Sequence, residues 1–386
     1  MMRDPAATPP PSKPPMQQPT LFARLTSPLA GLGLACILAA GLLSNGYAWF
    51  VQGRAVLPEK PDWPGFMDGK ITGAIAQDMG QAPLPAGLAK LQRAAGWLFM
   101  GDLGRQVRQG CPGWLFLAEE LMPQPDGAAH AAARARTVTA VRERLQERGI
   151  ALAVAIVPDK SRIAAAQLCR LARPASLAGR AADFAQALAA AGVPAVDLAP
   201  ALAPLGAQAF LRTDTHWNEA GARQAARALG QALRQAGLAP ERDREYEIQA
   251  LAPAPRPGDL VRLAGLDWLA PSLQPAPEMA ARSRLSLAPG AQPDGADDDL
   301  FGDAGLPRTV VVGSSYSRTS NFVPFLAAEL GVEVANFGLD GGKFAGGANA
   351  YFASAAFRQT PPRLVIWEIP ERDLQTPLDG EQVALP

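Results

Sequence analysis

Two short stretches hold the residue types from which an acyl-transfer site could be assembled. In FLRTDTHWNEAGAR, residues 210–223, Asp214 precedes His216 by two positions, and His216 is one of only 2 histidines in 386 residues. Side chains at i and i+2 of extended backbone project to one face. The carboxylate can therefore accept from one imidazole nitrogen and leave the other for a nucleophile. In TVVVGSSYS, residues 309–317, Ser314 and Ser315 follow three valines and a glycine. A strand-to-helix turn at that point exposes a hydroxyl, while the N–H groups that follow can face a developing oxyanion. Each stretch also has a plain architectural reading, the first as a helix cap with a surface histidine and the second as a turn that caps a helix. Residue types alone leave both readings open.

The competing chemistries are weaker. His130, in GAAHAAARAR, has no acidic neighbour and reads as an exposed helix residue. Asp214 and His216 could ligate a metal, but no second histidine stands at ligand spacing and no carboxylate cluster accompanies them in sequence, so no metal and no cofactor is expected. Thirty-six basic residues balance thirty-six acidic ones with no dense Lys/Arg run, which argues against nucleic acid as a partner.

A serine, a histidine and an aspartate far apart in sequence need a scaffold whose strand ends converge. VTAVRERLQERG places Val138, Val141 and Leu145 on one helical face and stops at Gly149. The continuous apolar run IALAVAIVPD follows, as a buried parallel strand should. A helix over AADFAQALAAAG and a strand over VPAVDL come next, and Asn218 is a good N-cap for EAGARQAARALGQALRQAG. After a Pro/Gly/Asp-rich insertion at about 238–307, read as long loops, the alternation resumes. RTVVVGSS, VEVANFG and RLVIWEIP read as strands; SNFVPFLAAELG and NAYFASAAF read as helices. Strands alternating with helices predict an α/β, doubly wound three-layer sandwich with a mostly parallel sheet.

Ahead of this body, residues 1–28 form a Pro-rich tail that is expected not to fold. Residues 29–51 carry no charge and are long enough for a transmembrane signal anchor; a cleaved signal peptide is the alternative, for which the preceding tail is long. Lys13 and Arg24 on one side balance Arg54 and Lys60 on the other, so a short tail inside and a large domain outside is simply the simpler topology. Residues 52–104 read as a connector of short helices. Of the three cysteines, Cys36 lies in the apolar span, and Cys111 and Cys169 are left as a pair able to form a disulfide in an oxidising compartment.

Taken together, DTHWNEAGA and VVVGSSYS resemble the SGNH hydrolase-like domain of the polysaccharide O-acetyltransferase family that includes AlgJ, AlgX and WssI. GWLFL, VPDKSR, GLDGGKFAGG and IWEIPERDL look like further segments of it, so the resemblance runs from about 105 to 375. It implies Ser315 as nucleophile, His216 as general base and Asp214 as the carboxylate that orients it. It also implies Ser315 N–H as an oxyanion donor, with Gly341, Gly342 and Tyr351 as weaker oxyanion or substrate candidates. The implied protein is an inner-membrane, single-pass O-acetyltransferase with a periplasmic catalytic domain spanning 105–386. It would acetylate an exported polysaccharide, cellulose or alginate, through an acetyl-serine. The implied partners are a membrane-bound O-acyltransferase that supplies acetyl groups and other exopolysaccharide secretion proteins. Zero net charge and seven tryptophans lean slightly toward a neutral glycan. The chain ends soon after ERDL, so the C-terminal carbohydrate-binding module of AlgX is not expected. The alternatives are a carbohydrate acetylesterase and a non-catalytic scaffold.

Overall fold

A computed structural model describes residues 21–55, 63–289, 307–378 and 381–384. The chain divides into two compact units, Met1–Gln92 and Arg93–Pro386. In the first, helix α1 (Leu21–Phe50) begins earlier than expected and takes in the last residues assigned to the Pro-rich tail; the rest of that tail lies outside the described residues. The connector supplies α2 (Trp63–Met67), α3 (Lys70–Gly80) and the start of α4 (Pro83–Met100).

In the second unit a short antiparallel pair, β1 (Val107–Gln109) and β2 (Leu115–Leu117), precedes the main alternation. There follow α5 (Gly127–Glu147), β3 (Ala151–Val157), α6 (Lys160–Ile163), α7 (Arg180–Ala190), β4 (Ala195–Asp197), α8 (Ala199–Leu202) and α9 (Glu219–Gln235). Then come β5 (Tyr246–Arg256), α10 (Asp259–Leu263), β6 (Glu278–Leu287), β7 (Thr309–Gly313), α11 (Phe322–Leu330), β8 (Val334–Gly338), α12 (Gly346–Phe352), α13 (Ala355–Gln359) and β9 (Leu364–Pro370).

The central sheet has the order β4-β3-β9-β7-β8, and every neighbouring pair is parallel. Its strands are apolar on both faces because both faces are covered. Leu152, Val154 and Ile156 pack with Val138, Val141 and Leu145 of α5 and with Phe184 and Leu188 of α7. The alternate residues Ala153, Ala155 and Val157 pack with Ala222, Ala225 and Leu229 of α9 and with Phe322 and Leu326 of α11. Period-2 alternation thus sends successive side chains of one strand into two different cores. The chain steps outward from β3 to β4 on one side and from β7 to β8 on the other, with β9 between. The carboxyl ends of β3, β7 and β9 therefore lie together at the place where open α/β sheets bind ligands.

Two expectations need correcting. The insertion is not a run of loops: β5 and β6 form an antiparallel ribbon from Tyr246↔Leu287 to Arg256↔Glu278, with an irregularity between Leu251 and Ala254. Pro253 and Pro255 argue against a strand inside a sheet, but a two-stranded ribbon consists of edges, where a missing N–H costs little. The helix expected over NAYFASAAF is two helices, because Ser354 accepts from Phe357 N and starts α13 anew.

Candidate active site

The DTH segment sits at the tip of a tight turn. Phe210 and Trp217 pair across its base, Leu211 N donates to His216 O, and Asn218 N donates to Ala209 O. Trp217 is fully buried beside Phe322 and Tyr316 and anchors the turn. Asn218 caps α9 by accepting from Gly221 N at 3.1 Å. One sequence segment therefore both caps a helix and presents Asp214 and His216.

At the end of β7, Glu368 of β9 organises the serine turn. Its carboxylate accepts from Ser314 N at 2.7 Å and from Ser314 Oγ at 3.0 Å, and Ser317 Oγ donates back to Ser314 O at 2.8 Å. Gly313 is required by this close approach, since a Cβ there would lie 2.6 Å from Glu368 Oε2. Ser314 N–H donates to Glu368 of β9 and Tyr316 N–H to Ser314 Oγ, whereas Ser315 N–H has no partner among the described residues. Ser315 is the serine whose hydroxyl faces the histidine.

The resulting geometry is a continuous relay. His216 Nδ1 stands 2.6 Å from Asp214 Oδ1, and His216 Nε2 stands 2.7 Å from Ser315 Oγ. Asp214 Oδ1 also accepts His216 N–H at 3.0 Å, which ties the carboxylate to its own turn. Such an arrangement can hold imidazole in one tautomer, with Nδ1–H on the carboxylate and Nε2 free to take a hydroxyl proton. Burial pushes the Asp214 carboxyl up, but its bonds to His216 and the nearby Arg256 outweigh that and hold it well below the usual carboxylate range.

Four further groups bear on the relay, beyond the three residues that the sequence assigns to it. Asp259, the first residue of α10, accepts from Thr215 N at 2.7 Å and places Oδ2 3.6 Å from His216 Nδ1. Burial and the Asp214 charge raise its carboxyl. Arg256, the last residue of β5, brings Nη2 to 3.5 Å from Asp214 Oδ2. Both reach the site because Gly258 lets the ribbon backbone close on Thr213, where any Cβ would clash with the Thr213 carbonyl. Lys160, buried after β3, donates to the carbonyls of Leu115, Arg212 and Asp214 at 2.7, 2.8 and 2.9 Å. Burial pulls its ammonium down to about 8. Glu368, fully buried, is pushed up to about 7 by that burial. A signal for Lys160 and Glu368 exists in VPDKSR and VIWEIP, since a charge at or within a buried strand demands a partner. The ribbon residues have no such signal.

The remaining candidates fall elsewhere. Tyr351 packs its ring in an aromatic cluster, 4.5 Å from Phe337 and 5.3 Å from Phe357 between ring centres, so the ring is part of the core. Gly342 N–H is spent on Leu339 O in a turn, and Gly341 supplies that turn's left-handed residue at φ 70°. His130 is half-buried rather than exposed, with Nδ1 3.2 Å from Gln375 O. Cys111 and Cys169 are bonded, S–S 2.03 Å, and fasten the segment before β2 to the one after α6. A second carboxylate does join Asp214 and His216, contrary to the sequence reading, and Asp214, His216 and Asp259 place ligand atoms within 4.8 Å of one another. Both imidazole nitrogens are already engaged, Nδ1 with Asp214 and Nε2 with Ser315, and Asp259 takes the Thr215 N–H on Oδ1 while Oδ2 stands 3.6 Å from Nδ1.

Comparisons with known proteins place this geometry in context. A family model described as an SGNH hydrolase-like domain, acetyltransferase AlgX, matches residues 107–371. The probable alginate O-acetylase AlgJ of Azotobacter vinelandii is 32% identical over 346 residues, covering 88% of this chain and 88% of the relative. AlgJ of Pseudomonas aeruginosa is 34% identical over 281 residues, 71% of each chain. The solved O-acetyltransferase domain of Pseudomonas putida AlgJ superposes with a TM-score of 0.61 at 30% identity, covering 72% of this chain and 95% of that one. Pseudomonas aeruginosa AlgX, at TM-score 0.50 and 22% identity over 74% of this chain and 73% of that one, shares the fold.

Proposed function

We propose, from the premise that the chain belongs to the SGNH hydrolase-like acetyltransferase family of AlgJ and AlgX and is an acyltransferase, that it O-acetylates an exported polysaccharide through an acetyl-Ser315 intermediate. The observation that carries this reading is the unbroken line Asp214–His216–Ser315 at 2.6 and 2.7 Å. In the first half-reaction Ser315 Oγ attacks the carbonyl carbon of an acetyl ester while His216 Nε2 takes the hydroxyl proton. The donor's C–O bond breaks, and the leaving oxygen receives that proton from His216. In the second, a sugar hydroxyl attacks the acetyl-serine, loses its proton to Nε2, and the proton passes to Oγ as the acyl bond breaks. Asp214 stabilises the imidazolium in both halves, and Ser315 N–H is the donor placed for the oxyanion.

The acceptor in this reading is a uronic-acid polymer of the alginate class, on the strength of the AlgJ relatives. The lean toward a neutral glycan drawn from net charge gives way, because a total averages over the whole surface. Arg318, on the Ser315 turn, is half-exposed and stands 3.7 Å from the exposed Asp340, a surface cation that an anionic chain can share. The protein works outside the inner membrane, anchored by α1, and receives acetyl groups from a membrane-bound O-acyltransferase within an exopolysaccharide secretion assembly. The test is transfer from an aryl acetate to mannuronate oligosaccharides, followed by mass spectrometry. Acetylated oligosaccharide is expected; hydrolysis alone with every glycan offered would make the protein an esterase.

A further inference from the structure

In the first unit, the helices that follow the apolar helix are fastened to it below its end. Leu84 N, at the start of α4, donates to Ser44 Oγ of α1 at 2.9 Å. Trp49 Nε1 donates to Asp78 Oδ2 of α3 at 2.9 Å, Arg54 pairs with Asp78 at 2.8 Å, and Arg54 also bonds Gln81. The apolar stretch of α1 runs Pro28–Phe50. Ser44 lies six residues before its end, which at 1.5 Å per residue is about 9 Å of depth. The start of α4 is thereby held level with residues that a bilayer would cover.

That region carries an unpartnered apolar face. Leu84, Leu88 and Leu91, at i, i+4 and i+7 of α4, are 38%, 56% and 59% exposed. Residues 83–92 hold one charge, Lys90, and no acid. On α2, Trp63 and Phe66 stack at 5.5 Å and are both exposed, beside exposed Met67. Asp78 is neutralised by Arg54, and the other acid of the segment, Asp68, stands 3.6 Å from Lys70. Exposed leucines clustered on one helix face are the pattern of a contact surface. A stripe of Leu with an aromatic pair and few charges, held at this depth, has the chemistry of a helix lying in the membrane interface.

We propose that residues 63–92 form a collar seated in the lipid of the leaflet in which α1 ends, with Leu84, Leu88 and Leu91 among acyl chains. This rests on the reading of α1 as an uncleaved span. The collar fixes the first unit at the bilayer surface rather than leaving α1 to act as a bare tether.

The test uses the full chain with Cys36→Ser and a single spin-labelled cysteine at Leu38, Leu84, Leu88, Lys90 or Leu91, in vesicles of phosphatidylethanolamine and phosphatidylglycerol. Relaxation by oxygen, which partitions into lipid, is compared with relaxation by a water-soluble nickel chelate. Oxygen should dominate at Leu38, Leu84, Leu88 and Leu91, and nickel at Lys90. Nickel dominance along the leucine stripe with oxygen dominance at Leu38 overturns the collar and leaves the span standing. Nickel dominance at Leu38 removes the span itself. A stripe open to nickel in vesicles but shielded in native membranes would make it a protein-docking face, which also overturns the proposal.

Discussion

Arg256 Nη2 lies 3.5 Å from Asp214 Oδ2, on the oxygen that His216 does not use. The arginine belongs to the inserted ribbon and the aspartate to the turn before α9, so two separate parts of the chain meet on one carboxylate. A cation there favours the ionised form that the imidazolium needs. Asp214→Asn should keep the shape but lose the tautomer control, lowering kcat by on the order of 10⁴. Arg256→Leu, whose wild-type side chain is partly exposed and screened, should cost on the order of threefold to tenfold in kcat/KM. Its effect should grow as pH falls, because Asp214 is then protonated more readily. Rate profiles from acid to neutral pH check this; identical profile shapes for wild type and Arg256→Leu would dismiss the ribbon's role.

Lys160 offers one ammonium to three carbonyls, among them that of Asp214. Lys160→Met preserves bulk and removes this common donor. The expected loss is about 2 kcal/mol of stability, the cost of leaving buried carbonyls short of a partner, together with a fall in kcat as the DTH turn loosens. Urea midpoints and initial rates measure the two effects; an unchanged kcat would confine Lys160 to stability.

Glu368 gives a pH prediction with a definite sign. Its folded value of about 7 lies above the roughly 4.3 of an unfolded glutamate, so the native state binds more protons between those limits. Stability then declines as pH rises from about 4 to 7. Glu120, raised to about 7, and Asp373, raised to about 6, both by burial, act in the same direction. Glu368→Gln can still accept from Ser314 N and donate to Ser314 Oγ. It should therefore flatten, without abolishing, this decline while retaining most of the activity. Denaturation midpoints across the window decide; parallel curves for the two proteins would exclude ionisation of Glu368.

The Cys111–Cys169 bond closes a loop with a sequence separation of 58. Chain-entropy reasoning assigns such a loop about 4 kcal/mol, so reduction should lower the unfolding midpoint markedly. Thermal unfolding with and without a reductant, after thiol counting under denaturing conditions, provides the check. A thiol count of three before reduction would remove the bond from the account.

Much of the scaffold was legible because its signals are local. IALAVAIVPD and TVVVGSS are continuous apolar runs ended by turn residues, and they appear as β3 and β7 in a sheet covered on both faces. Spacing and the scarcity of histidine make Asp214 and His216 candidates, the turn offers Ser314 and Ser315 alike, and only the family resemblance selects Ser315. Asp259 and Arg256 carry no such signal, because their importance comes from where a Pro-rich ribbon folds back, a non-local event. Tyr351 misled for the opposite reason: it stands beside a Gly-rich loop in sequence, yet helix α12 turns its ring into the aromatic core.

The most direct measurement is the site of acetyl attachment. Wild type and Ser315→Ala are mixed briefly with an aryl acetate, quenched in acid, digested and mapped by mass spectrometry. An acetyl group on Ser315 is expected, accumulating further in His216→Gln only if acylation outlasts deacylation, and lost from that peptide in Ser315→Ala together with transfer to oligosaccharide. An acetyl group on another residue, or full transfer by Ser315→Ala, would contradict the acetyl-Ser315 mechanism.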